Sequence, residues 1–362
     1  MRHGSNASRR RTPGGSLVQD CLKRHQQPSA RAGHHPGQGG NGHRCPGLPP
    51  QPDGQKPPLG HSGAITLALP QLRLPYFAEL ADSVIEAAAK QGLVVLIEQT
   101  GADRNRELEV MANPRLKMTD GLIFSPLALG QDDAELIRAD VPVVLLGERI
   151  FHSTSDHVTM QNVAAARAAT EHLLDLGRKR IAVVGAHQGE VIGSAGLRLR
   201  GYREGLDARN VPFDDGIVSY VQDWHRSNGA AAMHELLDRG AIFDAVFGLN
   251  DTLAQGAMRV LQEAGYRIPD DVAVIGFDDL DETRYSLPTL STVDPGRDEI
   301  AGTAIRLLME RIKNPDGGPP REVESAFRLV PRESTVGGQA AVESGDSGRP
   351  KAGHPAGQPA SG

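Results

Sequence analysis

Polar and aromatic residues capable of directed binding stand just beyond a series of apolar runs in this chain. In an open parallel α/β sheet, ligands bind outside the carboxyl ends of the strands, so residues at those ends are the first candidates for chemistry. The ends carry Tyr76 and Phe77, Ser125, Glu148 and Arg149, Asn250 and Asp251, and Asp278 and Asp279. Trp224, the sole tryptophan, follows the run "IVSYV", and Arg198 lies in a helix after "VVGA". An aromatic face combined with carboxylate, amide and guanidinium groups suits a polyhydroxylated or purine-like ligand, which needs stacking for its ring and hydrogen bonds for its rim. The set Tyr76, Phe77, Ser125, Arg198, Trp224, Asn250 and Asp278 is therefore read as ligand-binding.

Each of these residues also has a plainer role to weigh. Phe77 falls on the apolar side of its helix, where a core position is the ordinary outcome. Asn250 or Asp251 would serve as a helix N-cap without any ligand, and Asp278 could do the same. Arg198 has Arg200 and Arg203 close by and could be solvated, while Trp224 could plug an interface. Catalysis finds less support. No Ser, Cys or His stands in a nucleophile-elbow or triad context, and no dinucleotide or Walker glycine pattern joins a strand to a helix. The six histidines before Gly63 lack regular metal-ligand spacing, so neither a metal nor a cofactor is expected.

These residues need elements to hold them. From Gly63 the chain alternates: "GAITLALP" reads as a buried strand, "YFAELADSVIEAAAKQG" as an amphipathic helix ended by Gly92, and "LVVLIEQT" as the next strand. "DGLIFSP", a "DDAELIRAD" helix and "VPVVLLGE" continue the series, giving about four parallel strands by Glu148. The chain is expected to cross over near Asp156. A second series then runs through helix 162–176, strand "RIAVVGA", helix 197–206, strand "IVSYV", helix 228–239, strand "DAVFGLN", helix 251–264 and strand "VAVIGFD". The fold class is α/β, with two doubly wound parallel-sheet lobes.

Composition bounds the rest. The 362 residues, 39% hydrophobic, can supply the cores of two ordinary domains. Residues 1–62 hold nine Lys/Arg against Asp20 and Asp53, so the formal net charge of −6 leaves about −13 for the remainder. That acidic remainder is not by itself a nucleic-acid surface. Cys21 and Cys45 both lie in the basic front segment, so the body has no disulfide and fits a reducing compartment. No apolar run approaches the roughly 18 residues a membrane span requires, and the first residues lack a signal-peptide apolar region. The expected location is cytoplasmic. Residues 1–62 contain no Ile, Phe, Tyr or Trp and show no helical or strand period, so this segment and the Gly/Pro/Ser-rich tail 337–362 are expected to be disordered.

Residues 63 to about 336 resemble the sensor region of LacI/GalR-type bacterial transcription regulators, whose fold is similar to periplasmic sugar-binding proteins. The resemblance rests on "PYFAEL" at 75–80, "ATEHLLDLGRKRIAVVG" at 169–185, "LRLRGYREGL" at 197–206, "GLNDTLAQGAMRVLQEAGYRIPDDVAVIGFDD" at 248–279 and "LPTLSTVDP" at 287–295. It implies a first lobe of about 63–155 plus 291–320 and a second of about 160–290 plus 321–336. It also implies Tyr76 and Phe77 at a cleft wall, Arg198 as the principal charged contact, Trp224 for stacking, and Asn250 and Asp278 as hydrogen-bonding partners. The implied partners are a small-molecule effector, a sugar first and a nucleobase as the alternative, operator DNA, and a second copy of the chain in a homodimer. A freestanding sugar-binding sensor or receptor is the alternative function. One departure is Gln161-Asn162, where the family commonly has Asp-Asn.

The front segment departs further. The family begins with a helix-turn-helix and a hinge helix that enters the minor groove, and residues 1–62 show neither pattern. Their basic charge permits loose phosphate binding without sequence readout. Read one nucleotide later, codons for Pro49 to His61 are compatible with R-P-N-L-T-A-R-N-L-R-S-G, which resembles the family's hinge. Residues 43–48 and 19–25 can likewise yield I-x-A-L-G and K-T-V-S-N-V, in the family's order. Residues 1 to about 61 are therefore read as an out-of-frame remnant of a DNA-binding head, against the alternative of a natural low-complexity extension. A gene whose displaced frame carries stops or unrelated residues would exclude the remnant.

Overall fold

The structure, a computed structural model, describes residues 61–315 and 317–338. Expectations for the front segment before His61 and for the tail beyond Gly338 lie outside the described residues.

The first half begins β1 (Ala64–Leu69), α1 (Pro75–Ala89), β2 (Val94–Gln99), α2 (Arg104–Ala112), β3 (Leu122–Phe124), β4 (Val143–Leu146) and β5 (Asp156–Met160). These strands, joined later by a segment from near the chain's end, form one parallel sheet. β1 is apolar almost throughout and sits inside that sheet, where both faces are covered. β2 is the edge, and Val94, Leu96 and Ile97 remain exposed on it. Proline at the start of α1 leaves no amide to orphan there, and the helix closes the first βαβ turn before Gly92.

The chain crosses after β5 and builds a second parallel sheet. Its elements are α3 (Asn162–Asp175), β6 (Ile181–Ala186), α4 (Ser194–Ala208), β7 (Val218–Tyr220), α5 (Arg226–Asp238), β8 (Ala245–Gly248), α6 (Asp251–Glu263) and β9 (Ala273–Ile275). The strand order is β7-β6-β8-β9. α3 packs closely on α4, and α5 on α6, covering opposite faces. The α3–α4 approach depends on Gly201, where an added Cβ would lie 2.2 Å from the Val163 carbonyl oxygen.

β10 (Thr292–Asp294) then leads back to α7 (Arg297–Lys313) on the first sheet, β11 (Glu322–Ser325) follows, and β12 (Arg328–Val330) returns to the short α8 (Glu333–Val336) against β9. The completed first sheet has the order β11-β5-β4-β3-β1-β2. β10 and β12 pair antiparallel, Val293 opposite Leu329, so three strands of chain link the lobes.

Several sequence expectations change. Residues 322–325, expected in the second lobe, pair in parallel with β5 in the first, Val323 opposite Val158, and the last crossing comes after Ser325. Asp156–Met160 is a first-lobe strand, and the first crossing follows it at Gln161. "DDAELIRAD" forms only a 3₁₀ segment, Gln131–Leu136; it buries no side chain, so packing does not support a longer helix. α2 carries no apolar period to mark it in the sequence: it is polar, and its buried Glu107 carboxylate accepts the amides of Leu127, Ala128 and Leu129.

Candidate functional site

All seven residues selected from the sequence line one cavity of about 390 Å³ between the lobes. The first lobe contributes Tyr76 and Phe77 from the start of α1 and Ser125 just after β3; the second contributes Arg198, Trp224, Asn250 and Asp278.

Arg198 is the centre of the second-lobe wall. It sits in the second turn of α4 and is almost fully buried, which removes the solvated alternative. Its Nε donates to Asn162 Oδ1 at 2.7 Å, its Nη1 to the Leu249 carbonyl at 2.5 Å, and its guanidinium lies 3.6 Å from the centre of the Phe277 ring. Asn162, the residue after the unusual Gln161, is thus the group that orients this arginine. Five donors in a planar fork, held on three sides, leave a rigid rather than a searching cation.

Asp278 faces it. The closest approach, Arg198 Nη1 to Asp278 Oδ1, is 3.5 Å, longer than a good charge-assisted hydrogen bond. Asp278 is buried and its φ of 117° is a strained value for a residue with a Cβ. Burial pushes its carboxyl up to about 7, opposed by Arg198 and Arg297 and assisted by Glu148 and Glu79. The neighbouring Asp279 is spent elsewhere, paired with Arg332 and Arg284.

Asn250 performs the N-cap role: its Oδ1 accepts from Leu253 N at 2.9 Å and from Thr252 Oγ1 at 2.9 Å. It nevertheless remains on the cavity wall. Asp251 is fully buried away from the cavity, where it accepts from Leu280 N and Thr292 Oγ1. Trp224 donates Nε1–H to the Gly185 carbonyl at 2.8 Å, which fixes the indole, and its ring centre lies 5.3 Å from the Arg198 guanidinium carbon. Tyr76 and Phe77 meet edge to face at 5.3 Å. Burial, and then the charges of Asp278 and Glu148, hold the Tyr76 phenol well above its ordinary value, so its hydroxyl stays protonated.

The set chosen from sequence omitted several wall residues. Glu148 is buried and accepts from Thr159 Oγ1, Met160 N and, across the cleft, Ser194 Oγ at 2.7 Å. Arg149 also reaches across, 3.3 Å from Glu190, whose other oxygen accepts the Gly196 amide. Burial opposes the charge on Glu190, but the hydrogen bond from His187 at 2.8 Å, with Arg149 and the amide, brings its value below the ordinary one. His187 stands immediately beyond β6, so the strand-end rule could have found it; Glu190 lies in a loop with no such marker. Among the described residues no group of three or more His, Cys, Asp or Glu is arranged to hold a metal ion.

The arrangement offers carboxylate and amide acceptors, the fixed Arg198 cation, aromatic faces and donors from Tyr76 and Arg149 around one cavity. Such a wall can bind and orient a small ring.

Residues 170–335 match a periplasmic binding protein-like domain. A transcriptional regulator of the LacI family from Sanguibacter keddieii has a solved structure similar to this chain, with 53% identity, 77% of this chain and all of that one covered, and a TM-score of 0.72. The HTH-type transcriptional regulator CelR of Thermobifida fusca is 33% identical over 72% of this chain and 76% of its own length. The structure of a LacI family transcriptional regulator from Enterococcus faecium with bound ribose is 29% identical, covers 75% of this chain and 98% of its own, and has a TM-score of 0.66.

Proposed function

The chain belongs to the LacI family of transcriptional regulators, and from that premise we propose that it senses a sugar held between its two lobes by Arg198, Asp278, Asn250 and Trp224, with Tyr76, Phe77 and Ser125 closing the other wall. The observation that carries this reading is the convergence of those seven side chains, from two separate lobes, on one cavity. The bound ribose of the Enterococcus faecium relative supports the ligand class. A ligand touching both walls would favour one lobe orientation over another, and only such a difference in affinity transmits a signal.

The signal needs two readers, so the working form is a homodimer in the cytoplasm. The exposed apolar residues Val94, Leu96 and Ile97 on the open edge of the first sheet support a second copy as the partner there. Sedimentation equilibrium giving a monomer at micromolar concentration would count against it. Among the described residues no helix is long and apolar enough to cross a membrane. Because residues 1–62 do not read as a DNA-binding head, the chain as written is expected to bind effector without operator. A sequence-specific gel shift that survives physiological salt would overturn that expectation.

A thermal-shift screen of sugars and purines tests the ligand reading. A sugar is expected to raise the melting temperature, and Arg198→Ala or Asp278→Ala to abolish the rise. A shift with purines alone would replace the sugar by a nucleobase.

A further inference from the structure

We propose that the effector is an uncharged polyol and that Glu148 is the residue that rejects anionic sugars, an inference that rests on the reading of the cleft as a sugar site. The cavity wall holds three buried or half-buried carboxylates, Glu148, Glu190 and Asp278, and two guanidiniums, Arg149 and Arg198. Each cation already faces one carboxylate of the wall, although Nε of Arg149 is buried without a partner. Arg149 is paired with Glu190 at 3.3 Å, and Arg198 with Asp278 at 3.5 Å while it also donates to Asn162 and the Leu249 carbonyl.

Glu148 is the unbalanced charge. It is buried, its three partners are the neutral donors of Thr159, Met160 and Ser194, and it has no ion-pair partner among the described residues. Helix N-termini at the cleft could otherwise attract an anion, and at two of them one amide is turned to a side chain of the protein. Gly196 in the first turn of α4 donates to Glu190, and Leu253 in the first turn of α6 to Asn250. A phosphate or carboxylate on the ligand, which only accepts hydrogen bonds, would meet the unpaired Glu148 carboxylate beside guanidiniums that each already face a carboxylate. Sugar hydroxyls donate as well as accept, and suit the same wall.

The repulsion is large enough to decide specificity. With an effective dielectric near 20, one added negative charge about 6 Å from a carboxylate weakens binding about a hundredfold.

The test is calorimetric titration of the full chain with ribose, glucose and cellobiose, each beside an anionic counterpart: ribose 5-phosphate, glucose 6-phosphate and cellobionate. The neutral member of the binding pair is expected to bind about a hundredfold more tightly. Glu148→Gln keeps the shape and an acceptor oxygen, and should narrow that ratio at least about tenfold. An anionic sugar that binds as tightly as its neutral counterpart overturns the proposal and leaves the sugar reading standing. A wild-type preference that Glu148→Gln does not narrow, in a protein that still binds the neutral sugar, removes Glu148 from its role. Failure of every saccharide, charged or neutral, removes the sugar reading itself and the proposal with it.

Discussion

Two buried aspartates, Asp156 in the first lobe and Asp278 in the second, are treated in opposite ways. Asp156 opens β5 at the back of the sheet, and its carboxylate takes five nitrogen donors: Nε and Nη2 of Arg311, and the backbone N, Nε and Nη2 of Arg321. Burial alone would raise its value, but these bonds hold it far below the ordinary carboxylate range. Asp278, at the cleft, has one guanidinium at 3.5 Å and is pushed up to about 7. Asp156 has its hydrogen-bonding capacity filled by the protein. Asp278 is held in a strained backbone conformation with capacity to spare, which is how a group reserved for a ligand differs from one that joins elements.

The contrast breaks first at Asp156. It ties β5 to α7 and to the segment entering β11, so Asp156→Ala leaves Arg311 nearly buried with its partner gone. Loss of one side of a buried ion pair costs about 3 to 5 kcal/mol, and urea unfolding should show a loss of that order. Asp278→Ala, by comparison, should lose the ligand-induced shift with a smaller change in stability. A loss below about 1 kcal/mol at Asp156 would mean that the five bonds do not stabilise the lobe as their geometry implies.

The sequence made one of these aspartates visible and hid the other. Asp278 stands at the end of "VAVIGFD", a strand whose apolar run is legible because β9 is buried on both faces. The central strands and the four second-lobe helices were legible for the same reason, since burial writes a period into the sequence. Asp156 has no such marker; its partners lie 155 and 165 residues away, and no local pattern encodes that distance. β11, "EVES", was misplaced because an edge strand that is mostly solvated carries no apolar run. Glu190 was missed for a related reason: its meaning comes from Arg149, on the other lobe. What is local and buried can be read from residue order, whereas what is paired across the fold requires the fold.

The smaller effect is a difference in pH response. Asp278 has a folded-state value near 7 and an unfolded value near the ordinary carboxyl one of about 4, so folding favours its neutral form. Its contribution is complete below about pH 4 and is lost as the pH rises toward 7. Asp156 has the reverse sign: its stabilisation is present above the ordinary carboxyl value and is lost as the pH falls below it. Wild-type protein should therefore lose stability relative to Asp278→Asn between pH 4 and 7, by at most about 1.4 kcal/mol per pH unit. Urea titrations of both proteins across that window measure the difference directly. Curves that stay parallel would mean that Arg198 offsets the burial of Asp278 and keeps its value near the ordinary carboxyl one. A saturating ligand that donates to Asp278 would instead favour its ionised form, so effector affinity should rise over the same pH range in which the free protein loses stability.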